Sequence, residues 1–215
     1  MARPRSDIEP RIVHAARRRF LREGVDGASL RTIAKDAGTS IGMVYYYYPK
    51  KDDLFFAVVE ETYRKLLVDM TRALEPDAPV EERIRRLYAR IGAVSDAELA
   101  TVQLIVREVL VSSARLRRLV ARFQRGHIPL VLGALADGVQ DGFVDPALPL
   151  PLLLLSAVSI GAVPQLVRRA MGKRPPFAGL PEGDALAEVL VRVLFQGIGT
   201  RAAVATAVAG PDRVH

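Results

Sequence analysis

The stretch SLRTIAKDAGTSIGMVYYYYPKKDDL, residues 29–54, carries the strongest local structure signals in the chain, and it contains four consecutive tyrosines. Tyr45–Tyr48 directly follow Val44, and a run of β-branched and aromatic residues on its own favours a β-strand. The residues on either side of this run favour the starts and ends of helices, and these signals determine the structure of the stretch.

Helix signals flank the tyrosines on both sides. Ser29 and Ser40 are N-cap residue types, and Gly38 between them can adopt the left-handed conformation that ends a helix. Pro49 ends the second segment, because the residue before a proline resists the helical region. The pattern predicts short helices over residues 30–37 and 41–48, joined by a glycine turn, which is the arrangement of a helix-turn-helix.

The positive charge of the chain is concentrated around this stretch. The 215 residues carry a net charge of +7, and residues 1–51 alone hold 11 Lys/Arg against 5 Asp/Glu. Such asymmetry predicts a surface for a polyanion, with nucleic acid as the first candidate and an anionic membrane surface as the second. Cysteine is absent, which excludes a disulfide framework, a thiolate metal site and a cysteine nucleophile.

The rest of the chain also follows a helical pattern, with no convincing alternating run and no internal repeat. Hydrophobic residues make up 50% of the chain, which is enough for a substantial core. Further helices are predicted over residues 50–74, 79–94, 97–112, 115–141 with a kink or break at Pro129, 149–171 and 183–199. The expected fold class is all-α.

Residues 8–60 resemble the DNA-binding domain of the TetR family of bacterial transcriptional regulators. The resemblance rests on an alanine-rich first helix that leads to Phe20 and Gly24 and on the segment GTSIGMVYYYY over residues 38–48. It also includes Pro49-Lys50-Lys51, which matches the family's entry into its fourth helix.

The resemblance implies a division of the chain by role. Residues 1–50 would form a three-helix DNA-binding domain with its helix-turn-helix at 29–48, and residues 51–200 a larger helical domain for effector binding and dimerisation. Residues 201–215 are expected to be a flexible tail. The implied function is that of a cytoplasmic homodimeric repressor, released from a palindromic double-stranded operator by a small hydrophobic or amphipathic effector.

The tyrosines can then be assigned to different faces of the second short helix. Successive side chains point about 100° apart on a helix, so four in a row cannot share a face. Val44 and Tyr48 are expected in the core, and Tyr46 is a candidate for contact with base edges. By resemblance, Tyr45 and Tyr47 donate to phosphates. The full set of predicted DNA-binding residues is Ser29, Arg31, Thr32, Thr39, Ser40, Ile41, Gly42, Met43, Tyr45, Tyr46, Tyr47, Lys50 and Lys51.

Dimerisation is expected from two apolar helices near the end of the chain. Residues 185–198 are apolar on two sides, and a single chain rarely covers both sides of a terminal helix. With the apolar helix at 149–167, this predicts a four-helix bundle made from two subunits. The candidate interface residues are Leu153, Val158, Leu186, Leu190, Val193, Leu194 and Gly197.

The effector site is expected as a mostly apolar pocket with a few polar groups among the middle helices. The candidate polar residues are Tyr88, Gln103, Arg107, Glu108, Gln124, His127 and Gln165. Any one of them can equally be a surface residue or a satisfied core residue. The three histidines form no ligand cluster in the sequence, so neither a metal site nor a cofactor is predicted.

Three alternatives accompany this interpretation. An enzyme is disfavoured because no nucleophile–base grouping, phosphate loop or metal motif occurs. A membrane-associated helix remains an alternative for the uncharged residues 146–163, although a helix buried on all sides in a globular or dimeric core is favoured. A stripe of arginines over residues 115–125 is expected to be an exposed amphipathic face rather than a second nucleic-acid surface or an acidic-ligand site.

Overall fold

The computed structural model describes residues 7–172 and 174–197, and in this part of the chain the regular structure is helical, with no strand. The helices are α1 (Ile8–Gly27), α2 (Leu30–Asp36), α3 (Ile41–Tyr47), α4 (Lys51–Ala73), α5 (Val80–Gly92), α6 (Asp96–Val111), α7 (Ser113–Gln124), α8 (His127–Gln140), α9 (Leu150–Met171) and α10 (Gly183–Gln196). The all-α prediction is confirmed. The predicted tail at 201–215 lies outside the described residues.

Most helices begin and end within a few residues of their predicted bounds, but one expected break is misplaced. The segment predicted as a single helix over 115–141 forms two helices, and α7 ends before Arg125 and Gly126. Pro129, the predicted breakpoint, lies in the first turn of α8, where its missing N–H has no intrahelical partner to lose.

Side-chain and backbone contacts divide the chain into two units. The first includes the chain up to Asp69 and the segment Val94–His127, and the second includes Met70–Ala93 and the chain from Ile128 onward. Helix α4 therefore starts in the first unit and ends in the second. The predicted boundary after residue 50 divides the chain by role rather than by contacts, and it stays a prediction.

The first unit is built on a core shared by α1–α4, with additional side chains from α6 and α7. Its fully buried members include Ile12, Phe20, Val25, Ile33, Val44, Leu54, Phe55 and Val58, and α6 and α7 contribute Leu104 and Leu119. Each such side chain stabilises the fold by about 1.5–3 kcal/mol relative to an exposed one. This core holds α3 by its Val44 side and leaves its opposite side uncovered.

The second unit packs α5 against α9 and α10. Tyr88 of α5 lies at the centre of this unit, and its hydroxyl donates to the Ala157 carbonyl at 2.7 Å. Gln165 Nε2 donates to the Tyr88 carbonyl at 2.8 Å, and Gly161 gives the Tyr88 ring the space that a side chain would otherwise fill. The inner side of α9 is therefore closely packed, and its buried Gln165 is hydrogen-bonded inside the unit.

Candidate nucleic-acid interface

The turn between α2 and α3 is closed by a pair of backbone hydrogen bonds around Gly38. The Thr39 N–H donates to the Ala34 carbonyl and the Gly38 N–H donates to the Lys35 carbonyl, each at 3.0 Å. This is the Schellman pattern, and it requires the left-handed φ of 62° that Gly38 adopts. The glycine stop predicted from the sequence is confirmed, and it sets the angle at which α3 leaves α2.

The start of α3 is capped by Ser40, whose hydroxyl accepts from the Met43 N–H at 3.3 Å. Ser29, by contrast, precedes α2 with an extended backbone and makes no side-chain cap bond. Its hydroxyl is exposed and uncommitted to the helix, which is compatible with the phosphate contact expected of it.

The four tyrosines take three different environments on α3 and its C-terminal cap. Tyr45 and Tyr46 are 52% and 76% exposed, whereas Tyr48 is buried beside Val44. Tyr47 lies at the edge, with its ring against that of Tyr46 at a centroid distance of 5.3 Å. The expected helical separation of the tyrosines and the inward position of Val44 and Tyr48 are confirmed.

Tyr48 is fixed by a hydrogen bond as well as by packing. Its hydroxyl donates to Glu9 Oε1 at 3.0 Å, which links the end of α3 to the first turn of α1. Burial and this carboxylate together raise the pKa of Tyr48 above its ordinary value. The phenol therefore stays protonated as a donor at any physiological pH.

The remaining predicted DNA-binding residues surround the open side of α3. Lys50 is exposed, and Lys51 at the start of α4 donates from Nζ to the Asp26 carbonyl at 2.8 Å. The other exposed members of the set are Ser29, Arg31, Ser40 and Gly42, and the half-buried ones are Thr32, Thr39, Ile41 and Met43. These residues belong to one unit and come from three consecutive helices and their turns.

The arginine face of α7, formed by Arg115, Arg118 and Arg122, is only in part the exposed amphipathic face that the sequence predicted. Arg118 is exposed, as is Arg125 just after the helix. Arg115 is only 5% exposed and contacts three carboxylates, while Arg122 pairs with Glu60 of α4 at 2.8 Å. Arg118 lies over the Phe56 ring at 3.9 Å. The expectation fails at Arg115 and Arg122, because α4 carries an acidic and aromatic face that matches these arginines.

That match had a signal in the sequence. Asp52, Asp53 and Glu60 recur along α4 at helical spacing, as Arg115, Arg118 and Arg122 do along α7. Two complementary stripes on separate helices predict a pairing, although sequence spacing alone does not choose between pairing and solvation.

The candidate effector residues are divided between the two units. Tyr88 and Gln165 meet in the second unit, where each is satisfied by backbone partners. The others lie in the first unit: Gln103 and Gln124 are exposed, Arg107 donates to the Phe20 and Leu21 carbonyls, Glu108 pairs with Arg115, and His127 contacts Tyr63. The alternative of satisfied or surface residues therefore describes all of them. The described residues also contain no group of three or more His, Cys, Asp or Glu that could hold a metal.

The candidate dimer residues divide into an inward and an outward group. Leu186 and Leu190 of α10 are buried inside their own chain, which is a correction to the expected interface because their packing partners are already present. Val158 and Gly197 are exposed, and Leu153, Val193 and Leu194 are half-buried.

Helix α9 is the one described helix long and apolar enough to cross a membrane by length and composition, with a mean hydropathy of 1.9. Only 17% of that window is buried. The expectation of a helix buried on all sides is thus not met within a single chain. Its outer face, defined here as Leu152, Leu155, Val158 and Val163, is 45–64% exposed.

Known proteins similar to this chain are bacterial regulators. Residues 12–58 match the family described as bacterial regulatory proteins, tetR family. The regulator FadR from Bacillus subtilis, solved in complex with stearoyl-CoA, is 20% identical with a TM-score of 0.70, over 88% of this chain and 99% of that chain. No curated protein matches the chain in sequence.

Two further solved structures share the fold. FadR from Bacillus halodurans, a fatty acid degradation regulator, is 19% identical with a TM-score of 0.72, over 93% of this chain and 100% of that one. The TetR family regulator PfmR from Thermus thermophilus is 19% identical with a TM-score of 0.62, over 88% and 100%. At these identities the likeness establishes the fold.

Proposed function

We propose that this chain is a TetR-family regulator that acts as a homodimeric repressor, which an effector releases from a palindromic operator. The match of residues 12–58 to that family supports the proposal. The observation that carries the proposal is the uncovered side of α3. A short helix held by Val44 and Tyr48 presents Tyr45 and Tyr46 to solvent, next to the lysines at the start of α4. Neither Tyr45 nor Tyr46 belongs to the buried core of the first unit.

In the proposed interface, contacts with phosphates and contacts with bases come from different residues. Tyr46 and Met43 contact base edges or a thymine methyl group, and Gly42 allows the backbone to come close to the DNA. Tyr45, Tyr47, Lys50 and Lys51 bind phosphates, which fixes the register of α3 in the major groove. Only the first group sets the preference for sequence.

The proposed dimer uses the outer face of α9. Side chains of this face are exposed in one chain and apolar, and a second copy related by a twofold axis would bury them against the same face. Val193 and Leu194 of α10, which are half-buried, extend this surface. Two copies of α3 related by the same axis would read the two halves of a palindrome.

For the effector we propose a small hydrophobic or amphipathic ligand. Two of the similar structures are described as regulators of fatty acid metabolism or degradation, and a third contains stearoyl-CoA, so this compound is the first probe to use. The proposal for the ligand rests on this chemical class rather than on the seven candidate residues. Binding would be measured by isothermal titration calorimetry and by release of bound operator.

The proposed mechanism is thermodynamic linkage. Helix α4 begins at Lys51 beside the proposed DNA interface and ends at Ala73 in the second unit. An effector that binds better when α4 is tilted would favour a state in which the two α3 helices no longer match the half-site spacing. It weakens DNA binding only by its difference in affinity for the two states.

The test is a comparison of two substitutions on DNA. An operator would first be selected with the wild-type protein from a pool of random duplexes. We expect Tyr46→Ala to weaken operator binding by about 10- to 100-fold, since a base contact contributes about 1–3 kcal/mol, and to leave random DNA nearly unaffected. Lys51→Ala should weaken both duplexes alike and reduce the salt dependence of binding.

Lys65→Ala is the matched control, because Lys65 is exposed further along α4 and its loss removes the same charge. Unchanged operator affinity and unchanged salt dependence in Tyr46→Ala would show that α3 is not the recognition helix. Loss on the operator alone in Lys51→Ala would contradict its assignment to phosphate.

A further inference from the structure

Carboxylates lie next to the lysines that are proposed to bind phosphate. Asp52 and Asp53 directly follow Lys51 in the first turn of α4. Asp26, near the end of α1, accepts from Lys51 Nζ through its backbone carbonyl at 2.8 Å. A DNA backbone that approaches Lys51 therefore also approaches these carboxylates, within about 10 Å, the distance over which charges interact at 0.1 M salt.

Arg115 of α7 binds two of these carboxylates. Its Nη2 donates to Asp26 Oδ1 at 2.5 Å and to Asp52 Oδ1 at 2.9 Å. The bond from Arg115 lowers the pKa of Asp26, so that carboxyl is fully ionised near neutral pH. One guanidinium thus connects the end of α1 to the start of α4.

The third partner of Arg115 is Glu108, which fixes the position of the guanidinium. Arg115 Nη1 donates to Glu108 Oε2 at 2.7 Å, and Glu108 Oε1 accepts from the Val25 N–H at 3.1 Å. Both side chains are almost fully buried. A buried arginine with several carboxylate partners keeps a fixed position, since its planar donors can satisfy them at once.

Arg118 pairs with the next carboxylate, that of Asp53, at the surface. It lies 3.4 Å from Asp53 Oδ1, and its side chain is 53% exposed. The acidic residues at the start of α4 are thereby paired with cations from α7, a helix outside the predicted helix-turn-helix.

We propose that Arg115, assisted by Arg118, offsets part of the negative charge of Asp26, Asp52 and Asp53 so that the DNA backbone can approach Lys50 and Lys51. Arg115 is then a positioning residue for DNA binding that touches no nucleotide. The inference rests on the proposed function, because it assumes that the start of α4 faces DNA. It adds α7 to the parts of the chain that determine DNA affinity.

The principal test is Arg115→Gln, measured on the selected operator and on random duplex by fluorescence anisotropy. We expect about tenfold weaker binding to both, since unpaired carboxylates repel phosphate regardless of base sequence. The loss should shrink as salt is raised, because screening weakens this repulsion. A purely structural loss would not depend on salt in this way.

The decisive measurement is rescue by removal of the carboxylates. Adding Asp26→Asn and Asp52→Asn to Arg115→Gln should return the affinity to within about threefold of wild type, because the repelling charges are gone. Besides Arg115, the native Glu108 accepts from the Val25 N–H and lies 3.4 Å from Arg107 Nε, so these partners are expected to remain in the variant. If the triple variant is folded by circular dichroism and still binds weakly, Arg115 acts through packing and the proposed charge compensation is refuted.

Arg118→Gln keeps the inference testable if the loss of Arg115 unfolds the first unit. Arg118 is exposed enough to be replaced without loss of the fold, and about a threefold loss of affinity is expected, reversed by Asp53→Asn. Arg117→Gln is the charge-matched control on the same helix, where the side chain is exposed.

The two possible failures are distinct. A wild-type protein that binds no duplex at all contradicts the proposed function. A wild-type protein that binds DNA while Arg115→Gln and Arg118→Gln bind equally well contradicts this inference alone.

Discussion

Helix α7 of the first unit and helix α9 of the second unit each carry a regular stripe of side chains along one side. On α7 the stripe is basic, and its members are paired with carboxylates or stacked on rings of α4. On α9 the stripe is apolar, and the outer face defined above is left largely exposed by its own chain. The two stripes differ in whether one chain is enough to satisfy them.

The difference shows which of the two surfaces finds its contacts within a single chain. Charged groups must find partners within the fold when they are buried, so the buried Arg115 of the arginine face is paired with residues of the same unit. An apolar face can remain open until a second molecule covers it, and large exposed apolar patches mark such contact sites. The comparison therefore predicts that substitutions on α9 change assembly, while substitutions near α7 change the stability or the DNA binding of the first unit.

Leu155→Glu should have the largest effect on this comparison. Leu155 is 64% exposed at the centre of the outer face of α9, and a carboxylate there would be buried without a partner in the dimer. We expect the dissociation constant of the dimer to rise by about 100-fold or more, at a cost of about 3 kcal/mol, with operator affinity lost in parallel. Analytical ultracentrifugation in detergent-free buffer measures the change.

Leu110→Glu is the control for Leu155→Glu. Leu110 of α6 in the first unit is 82% exposed. Its replacement makes the same chemical change at an exposed leucine that lies outside the proposed interface. A Leu155→Glu protein that remains dimeric would place the interface elsewhere. A wild-type protein that requires detergent to stay in solution would favour association of α9 with a membrane.

Gly161→Ala should have the next largest effect and tests the inner side of α9. A Cβ on Gly161 would overlap the Tyr88 ring, which is itself held by its bond to Ala157. Overpacking of this kind lowers the free energy of unfolding by about 1–3 kcal/mol. Urea denaturation followed by circular dichroism measures it.

Gly133→Ala on α8 provides a matched comparison within the same unit. Nothing lies within 4 Å of a Cβ built at Gly133, so this substitution should stabilise the helix by about 0.5–1 kcal/mol. Equal effects of the two glycine substitutions would mean that the inner side of α9 is not closely packed.

The same contrast explains what could be predicted from the sequence. The helix-turn-helix was predictable because its determinants are local: the Ser40 cap, the Gly38 turn and the Pro49 stop act within a few residues of each other. The inward side of α3 followed from helical spacing alone. Each of these features is decided before any distant part of the chain is considered.

The arginine face and the effector residues were not predictable in this way. Arg115 meets Asp52 and Asp26 at separations of 63 and 89 residues along the chain, and periodicity cannot select such partners. The same holds for Tyr88, whose partners Ala157 and Gln165 come from another helix. Leu186 and Leu190 were assigned to the dimer because an apolar helix does not reveal which of its sides packs inside its own chain.

The smallest expected effect concerns the pH dependence of the stability of the fold, through His127 at the start of α8. Tyr63 Oη accepts from the backbone N–H of His127 at 3.1 Å and lies 3.0 Å from the ring atom Nδ1 of the same residue. The guanidinium of Arg122 lies over the Tyr63 ring. Burial, together with the positive charge of Arg122, lowers the pKa of His127. The unfolded chain therefore binds a proton at His127 more readily than the folded chain does. The contribution of the neutral His127 to stability is fully present above about pH 6.5 and is lost as pH falls through the folded-state pKa.

His127→Gln should remove this part of the pH dependence, since glutamine cannot be protonated in this range. We expect the free energy of unfolding to fall less between about pH 7.5 and about pH 5.5 in this variant than in wild type. His14→Gln is the control for the loss of one imidazole, because His14 is exposed on α1. The proposed dimer contacts of α9, which are apolar, should show no such dependence over the same range, so an equal pH effect on dissociation would contradict the contrast between the two faces.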